Sequence, residues 1–273
     1  MPCIEIDGLR LNMKRVGSGP ALVLLHGFTG DATTWDDLAV RLASRFEVVA
    51  FDIIGHGESD SPPSVSRYQM ARCVDDLVSA LRAIGHIDAT WLGYSMGART
   101  ALQVAIHQPD AVNALILEGG SAGLSDPEER ATRTSMDEAL ANQIERDGIE
   151  AFIDFWETIP LWNTQSVLPD MTLNLLRRQR LSNNEIGLAN SLRGMGTGAQ
   201  EPLHDRLDEL DVPMLMITGA LDKKFTAIAQ DIVRQVRLAM HRSVLDCGHA
   251  VHLENPHAFE AAVCDFLEQI YPH

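Results

Sequence analysis

The chain has 273 residues, 45% hydrophobic and 22% charged, which excludes a disordered or fibrous protein. Its 22 basic and 38 acidic residues leave a net charge of −16, so at long range it repels nucleic acid, anionic membranes and polyanionic substrates unless a local basic cluster intervenes. No apolar run approaches the roughly 18 residues that a membrane helix needs, so no membrane insertion is expected.

Cys3–Ile6 and residues 9–16 read as a hairpin joined near Asp7-Gly8. Ala21-Leu22-Val23-Leu24-Leu25 is a continuous apolar run ended by His26-Gly27, the mark of a buried strand. Trp35, Leu38, Ala39, Leu42 and Phe46 follow helical spacing after a Thr33-Thr34 start. Residues 47–51 are strand-like. Met70, Val74, Leu77, Leu81 and Ile84 mark one helix face, closed by Gly85. A strand over 89–92, a helix over 98–107 stopped by Pro109 and a strand over 112–117 follow. Such alternation specifies βαβ units and a parallel sheet buried on both faces. It breaks after Gly119-Gly120. Helices are predicted over 127–146, 149–158, 171–181 and 184–193, with no strands between. The alternation returns with a strand at 213–218, a helix from about Thr226, a strand at 242–245 and a last helix from Pro256. The expected architecture is a core of residues 1–120 and 201–273, with residues 121–200 inserted as a helical lid. A second independent domain is the alternative, disfavoured because the insertion has few long apolar runs.

Met1-Pro2-Cys3-Ile4-Glu5 has no basic segment leading into an apolar one, so no secretory leader is expected and a cytoplasmic location is. Cys3, Cys73, Cys247 and Cys264 lack metal-site spacing and are too few for a disulfide framework, so reduced thiols are expected.

Gly93-Tyr94-Ser95-Met96-Gly97 fits G-x-S-x-G between a predicted strand and a predicted helix. Flanking glycines allow a tight turn that lifts the serine over the sheet edge, and the next helix offers free N–H groups beside it. An ordinary turn with a solvent serine would look the same in the bare pattern; the placement favours a nucleophile or base. Serine needs a histidine partner at neutral pH. His249, in the small-residue loop Asp246-Cys247-Gly248-His249 after the last strand, is the best candidate, with His252 as the alternative. The acid that fixes the imidazole is read as Asp222, after the penultimate strand, where a helix N-cap is the competing role. The order Ser95, Asp222, His249 is that of α/β-hydrolases. Charge developing on a substrate oxygen needs oriented donors. Those expected are the N–H groups of Met96 and of Phe28, in His26-Gly27-Phe28-Thr29-Gly30. His26 and His56 read as loop-shaping residues, and Met195, Met214 and Met216 as packing.

The whole chain resembles the α/β-hydrolase superfamily, and within it the MenH-type synthases that make 2-succinyl-6-hydroxy-2,4-cyclohexadiene-1-carboxylate in menaquinone biosynthesis. The resemblance rests on His26-Gly27-Phe28-Thr29-Gly30, Gly93-Tyr94-Ser95-Met96-Gly97-Ala98-Arg99, Leu117-Glu118-Gly119-Gly120, Arg180-Leu181-Ser182-Asn183-Asn184, Asp222-Lys223-Lys224-Phe225 and Gly248-His249-Ala250-Val251-His252-Leu253-Glu254-Asn255-Pro256. Asp52-Ile53-Ile54-Gly55-His56-Gly57-Glu58-Ser59 matches only at superfamily level. Ala98 stands where a glycine is common. The resemblance implies substrate-binding roles for Tyr94, Arg99, Arg133, Trp156 and Arg180, with the insertion matching only loosely. It also implies a substrate bearing three carboxylates. Arg99, Arg133 and Arg180 would then form the local positive pocket that a chain at −16 requires, guanidinium forks being suited to carboxylates. Pairing of these arginines with nearby Asp and Glu is the alternative.

The leading expectation is a lyase: the Ser95-His249-Asp222 set removes a ring proton from 2-succinyl-5-enolpyruvyl-6-hydroxy-3-cyclohexene-1-carboxylate and pyruvate leaves. The second is a serine hydrolase of small esters or carbon–carbon bonds, since the same triad serves both. A ligand receptor on this fold is a third, disfavoured by an intact triad. No metal or organic cofactor is expected, the partner is a small polycarboxylate rather than nucleic acid, and the sequence leaves the oligomeric state open.

Overall fold

The computed structural model describes residues 3–272. Met1 and Pro2, the start of the segment read for a leader, lie outside the described residues. Strands β1 (Cys3–Ile6) and β2 (Leu9–Gly17) pair antiparallel. Their turn, Asp7-Gly8, has both residues at positive φ (49° and 74°), the conformation a two-residue hairpin needs to match strand twist.

Strands β3 (Ala21–Leu25), β4 (Glu47–Phe51), β5 (Ala89–Tyr94), β6 (Val112–Glu118), β7 (Met214–Gly219) and β8 (Ala239–Val244) run parallel, and β2 pairs antiparallel with β4. The order across the sheet is β1-β2-β4-β3-β5-β6-β7-β8. All five residues of β3 are buried. Leu22 and Leu24 join the apolar cluster on one face, Val23 and Leu25 that on the other, as the two-residue period of a strand dictates. Helices α1 (Asp36–Leu42) and α9 (Pro256–Ile270) cover the first face, and α2 (Met70–Ala83), α3 (Met96–His107) and α7 (Lys223–Gln235) the second. Burying one Leu or Val side chain contributes roughly 1.5–3 kcal/mol, so this doubly covered sheet is the rigid frame on which the loops sit. The loops that matter follow the carboxyl ends of β3, β5, β6, β7 and β8, where open α/β sheets carry their sites.

Between β6 and β7 the chain forms α4 (Pro127–Trp156), a 3-10 segment (Pro160–Val167), α5 (Asp170–Leu181) and α6 (Glu185–Met195). The two helices expected over 127–158 are present as the two halves of α4, separated at Gly148, whose φ of 82° and ψ of 169° are not helical and suit glycine. Asp126 caps α4 by accepting from the N–H groups of Glu128 and Glu129, and Asn184 caps α6 through Gly187 N–H. Ala141, Ile144, Phe152, Ile153, Leu188, Ala189 and Leu192 form a small core of their own, against which Phe28 of the β3 loop packs. At the base, Leu203 N–H donates to Ala122 O at 2.8 Å, joining the two ends of the excursion. The short helix α8 (Val251–Glu254) precedes α9. Helix α7 starts at Lys223 rather than near Thr226 because Asp222 caps it, and β8 starts at Ala239 rather than Arg242.

Candidate active site

Ser95 lies between β5 and α3 with φ 51° and ψ −104°, a backbone state that L-residues rarely hold. Its neighbours make the turn possible. A Cβ on Gly93 would lie 2.2 Å from Gly97 O, and one on Gly97 would lie 2.2 Å from Leu25 O. The turn is held by Ser95 N–H to Glu118 O (2.8 Å) and Arg99 N–H to Ser95 O (3.0 Å). The hydroxyl is therefore fixed over the ends of β3, β5 and β6.

Three chain-distant residues meet there. The Ser95 hydroxyl donates to His249 Nε2 at 3.0 Å, and His249 Nδ1–H donates to Asp222 Oδ2 at 2.8 Å. The other carboxylate oxygen of Asp222 accepts Phe225 N–H at 3.1 Å. Both roles read for Asp222, acid partner and helix cap, are thus filled by one side chain. Burial pushes its carboxyl up, but the hydrogen bonds from His249 and Phe225 outweigh burial and hold it below its ordinary value. The His249 side chain is almost wholly enclosed, with 1% exposed. Tyr94, Trp162 and Phe225 ring it, at centroid distances of 5.5, 5.9 and 4.4 Å.

His252 is engaged elsewhere. Its N–H and Nδ1–H both donate to Glu118, at 3.0 and 2.8 Å. Glu118 therefore serves His252 and leaves Asp222 to His249.

Phe28 N–H and Met96 N–H donate to no protein group among the described residues, as free oxyanion donors would. The loop carrying Phe28 is built by buried polar groups. His26 Nε2 accepts Ile53 N–H at 3.0 Å while Nδ1–H donates to Gly27 O at 2.7 Å. His56 Nδ1–H donates to Ile54 O at 3.2 Å. Burial pushes the His26 imidazole down, and burial together with the nearby His26 brings that of His56 to about 3. Both are neutral loop-shaping groups, as the sequence suggested. Asn183, at the end of α5, donates to Thr29 O at 2.8 Å and accepts Gly57 N–H at 3.0 Å, tying the insertion to this loop.

The arginines fall into two groups. Arg99, one turn along α3 from Ser95, is half-buried and donates to Met195 O (3.0 Å) and to Gln200. Burial and the adjacent Arg133 charge push its guanidinium down to about 10, partly offset by Asp137. Arg133 is held by Asp137 at 2.8 Å. Asp137 is itself buried, its carboxyl is pushed up by that burial despite both arginines, and its Oδ2 has no partner among the described residues. Arg180 lies on the other side. It contacts Glu157 at 3.1 Å and sits over the Trp162 ring at 5.4 Å. Glu157 also holds Arg177, at 2.7 Å. Arg133 and Arg180 each pair with an internal acid, the alternative the sequence left open. Trp156 bridges Phe28 (5.5 Å) and Trp162 (5.9 Å). Burial and the Glu118 charge push the Tyr94 phenol up, against the pull of Arg180. A cavity of about 560 Å³ opens between the 3-10 segment and α5, with Glu157, Trp162, Asn174, Arg177 and Arg180 on its walls.

Trp162, Asp137, Glu157 and Glu254 escaped the sequence reading. Trp162 lies in a 3-10 stretch with no apolar period to mark it. The three acids have no spacing that separates them from the many others. Among the described residues no cluster of His, Cys, Asp or Glu could hold a metal ion, and no helix is long and apolar enough to cross a membrane.

The alpha/beta hydrolase fold model matches residues 20–256, from the turn before β3 to the start of α9. The chain belongs to the α/β-hydrolase family. This α/β hydrolase is 41% identical over 266 residues, 97% of each chain, to a Bacillus subtilis protein provisionally named 2-succinyl-6-hydroxy-2,4-cyclohexadiene-1-carboxylate synthase. It is 32% identical to the synthase of that name from Serratia proteamaculans, over 91% of this chain and 93% of that one. Among solved structures it resembles MenH from S. aureus, with TM-score 0.91 and 30% identity over 95% of this chain and 98% of the other.

Proposed function

We propose that this α/β hydrolase is a carbon–oxygen lyase of menaquinone biosynthesis, forming 2-succinyl-6-hydroxy-2,4-cyclohexadiene-1-carboxylate by eliminating pyruvate from its 5-enolpyruvyl precursor. The observation that carries the reading is the 41% identity, spanning 97% of both chains, to a relative bearing that product's name. The chemistry of the site supports it.

Ser95 passes its proton to His249 Nε2, and Asp222 stabilises the imidazolium that results. The serine oxygen takes the ring proton next to the succinyl carbonyl. The electron pair moves through the ring, the bond to the enolpyruvyl oxygen breaks, and charge gathers transiently on the succinyl oxygen. Phe28 N–H and Met96 N–H are oriented to hold that charge. The departing pyruvate enolate takes the proton from His249, and Ser95 keeps the one it removed, so the site returns to its starting state without water. Residues 121–200 act as a lid over a core of residues 1–120 and 201–273. Arg99 and Arg133 receive one carboxylate, and Arg180 with Tyr94 and Trp156 receives another. The protein works in the cytoplasm.

The test is pyruvate release. The purified protein should release pyruvate from the enolpyruvyl substrate far faster than it cleaves neutral aryl esters. Strong esterase activity without pyruvate would replace this reading with that of a serine hydrolase.

A further inference from the structure

Ser95 and His249 follow strands that are not neighbours. The serine turn follows β5 and the imidazole loop follows β8, with β6 and β7 between them in the sheet. Glu118, the last residue of β6, binds both. It is in register with Tyr94 of β5 on one side and Ile217 of β7 on the other. Its carbonyl accepts Ser95 N–H at 2.8 Å. Its wholly buried carboxylate accepts His252 N–H at 3.0 Å and His252 Nδ1–H at 2.8 Å, and no other group among the described residues donates to it. His252 is the second residue of α8, which starts two positions past His249. Trp35, Tyr94 and Phe259 enclose its ring, at centroid distances of 5.1, 4.6 and 5.9 Å. Within the imidazole loop, Glu254 accepts Gly248 N–H and Ala250 N–H at 2.6 and 3.4 Å, so the loop holds its own shape. What it needs from elsewhere is a fixed distance from the serine turn.

We propose that Glu118 is a positioning residue for the reaction of Ser95, setting the separation between the serine turn and the imidazole loop through its carbonyl and its carboxylate. A carboxylate out of water must keep its donors, because an unpaired buried charge is strongly destabilising. His252 is therefore held at Glu118. The two residues between His249 and His252, Ala250 and Val251, are themselves wholly buried, which leaves the ring little freedom to drift. No residue of the insertion takes part in this brace. The proposal deepens the reading of Ser95 and His249 as the working pair, and it holds for lyase and hydrolase alike.

Glu118→Leu combined with His252→Phe replaces the buried pair by apolar groups of similar size, an exchange that costs little stability. Glu118→Gln keeps the size and one acceptor for His252. Two readouts report the Ser95–His249 pair without the natural substrate: the rate at which a small phosphonofluoridate labels Ser95, and the low-field proton resonance of His249 Nδ1–H. The double variant should label about tenfold more slowly, as a drift of ~0.5 Å would when ~1 Å costs about 100-fold. Its resonance should shift while its Tm stays within a few degrees of the unaltered protein. Glu118→Gln should label about threefold more slowly. In pyruvate release the losses should fall on kcat, with KM changed less than about twofold. A double variant that folds and labels within about twofold of the unaltered rate would overturn the proposal. If it does not fold, Glu118→Gln decides, and an unaltered rate with an unaltered resonance would overturn the proposal just as well. If the unaltered protein labels at Ser95 but releases no pyruvate, the lyase reading fails while the labelling comparison still decides the role of Glu118.

Discussion

Gly119 lies under the imidazole of His249: a Cβ built on Gly119 would stand 2.8 Å from Cε1 and 3.1 Å from Nδ1 of the ring. Its φ of 57° belongs to the left-handed region, and its N–H donates to Ile217 O at 3.0 Å. The floor of the His249 ring is thus a glycine just past the end of β6.

Gly119→Ala should displace the ring with little cost to the fold. The left-handed backbone would cost roughly 1–2 kcal/mol. That corresponds to a fall of a few degrees in Tm for a chain of this size. A displacement of even ~1 Å at the imidazole is enough to reduce kcat by about 100-fold. Thermal melting and steady-state kinetics on one preparation check this; kcat within threefold of the unaltered enzyme would mean that the ring tolerates the methyl group.

The arginines should separate charged from neutral substrates. Removing a guanidinium from a desolvated carboxylate costs roughly 2–5 kcal/mol. So Arg99→Ala, Arg133→Ala and Arg180→Ala should each lower kcat/KM for pyruvate release by about 30-fold or more. A neutral aryl ester should notice little. Arg→Lys should recover only part, since lysine lacks the fork. Equal losses on both substrates would mean damage to the fold and the end of the anion-pocket idea.

Glu157 holds both Arg180 and Arg177, so a substrate carboxylate bound at Arg180 would have to compete with it. Glu157→Gln keeps an oxygen to receive the guanidinium and removes the like charge facing an incoming carboxylate. KM for the polycarboxylate should fall about fivefold at low salt with kcat unchanged, an effect near 1 kcal/mol. The gain should shrink as ionic strength rises. A KM that rises at every salt concentration would show that Glu157 orients Arg180 rather than competing for it.

His56 sets a pH dependence of stability. Folded, it stays neutral down to about 3; its ordinary value is 6.5. Between those limits the unfolded chain binds a proton that the folded chain does not, so stability is full above pH 6.5 and falls as pH drops towards 3. His56→Gln should flatten that slope by up to about 1.4 kcal/mol per pH unit. Urea midpoints measured from pH 7.5 to 4.5 report the slope directly. An unchanged slope would assign the acid sensitivity to other groups.

Much of the sheet and the meeting of Ser95, His249 and Asp222 was legible because each depends on short local patterns. The apolar run of β3 is a buried strand wherever it is placed, and G-x-S-x-G between a strand and a helix dictates its own turn. Asp222 and His249 were found because they follow strands in a fixed order. The insertion was harder. Its helices showed, including the break near Gly148 between the two read over 127–158, but the contacts they make did not. Trp162 and Thr164 contact residues some 85 to 90 positions away, which no local period encodes. Whether an arginine faces a ligand or an internal acid is likewise set by tertiary placement, and Arg133 and Arg180 each have an internal acid that no spacing announced.

The hydrogen bond between Leu203 and Ala122 closes the excursion at its base. The excursion leaves at β6 and returns at β7, which are paired neighbours in the sheet. Its ends already meet at the base, so replacing everything between them adds little loop-closure entropy to the core. An exchanged cassette of residues 123–202 would carry Arg133, Trp156, Trp162 and Arg180 away together, while Ser95, Asp222, His249 and both free amides stayed behind. The insertion and the triad thus lie on separate stretches of chain, although Asn183 and Arg99 also link the insertion to the core.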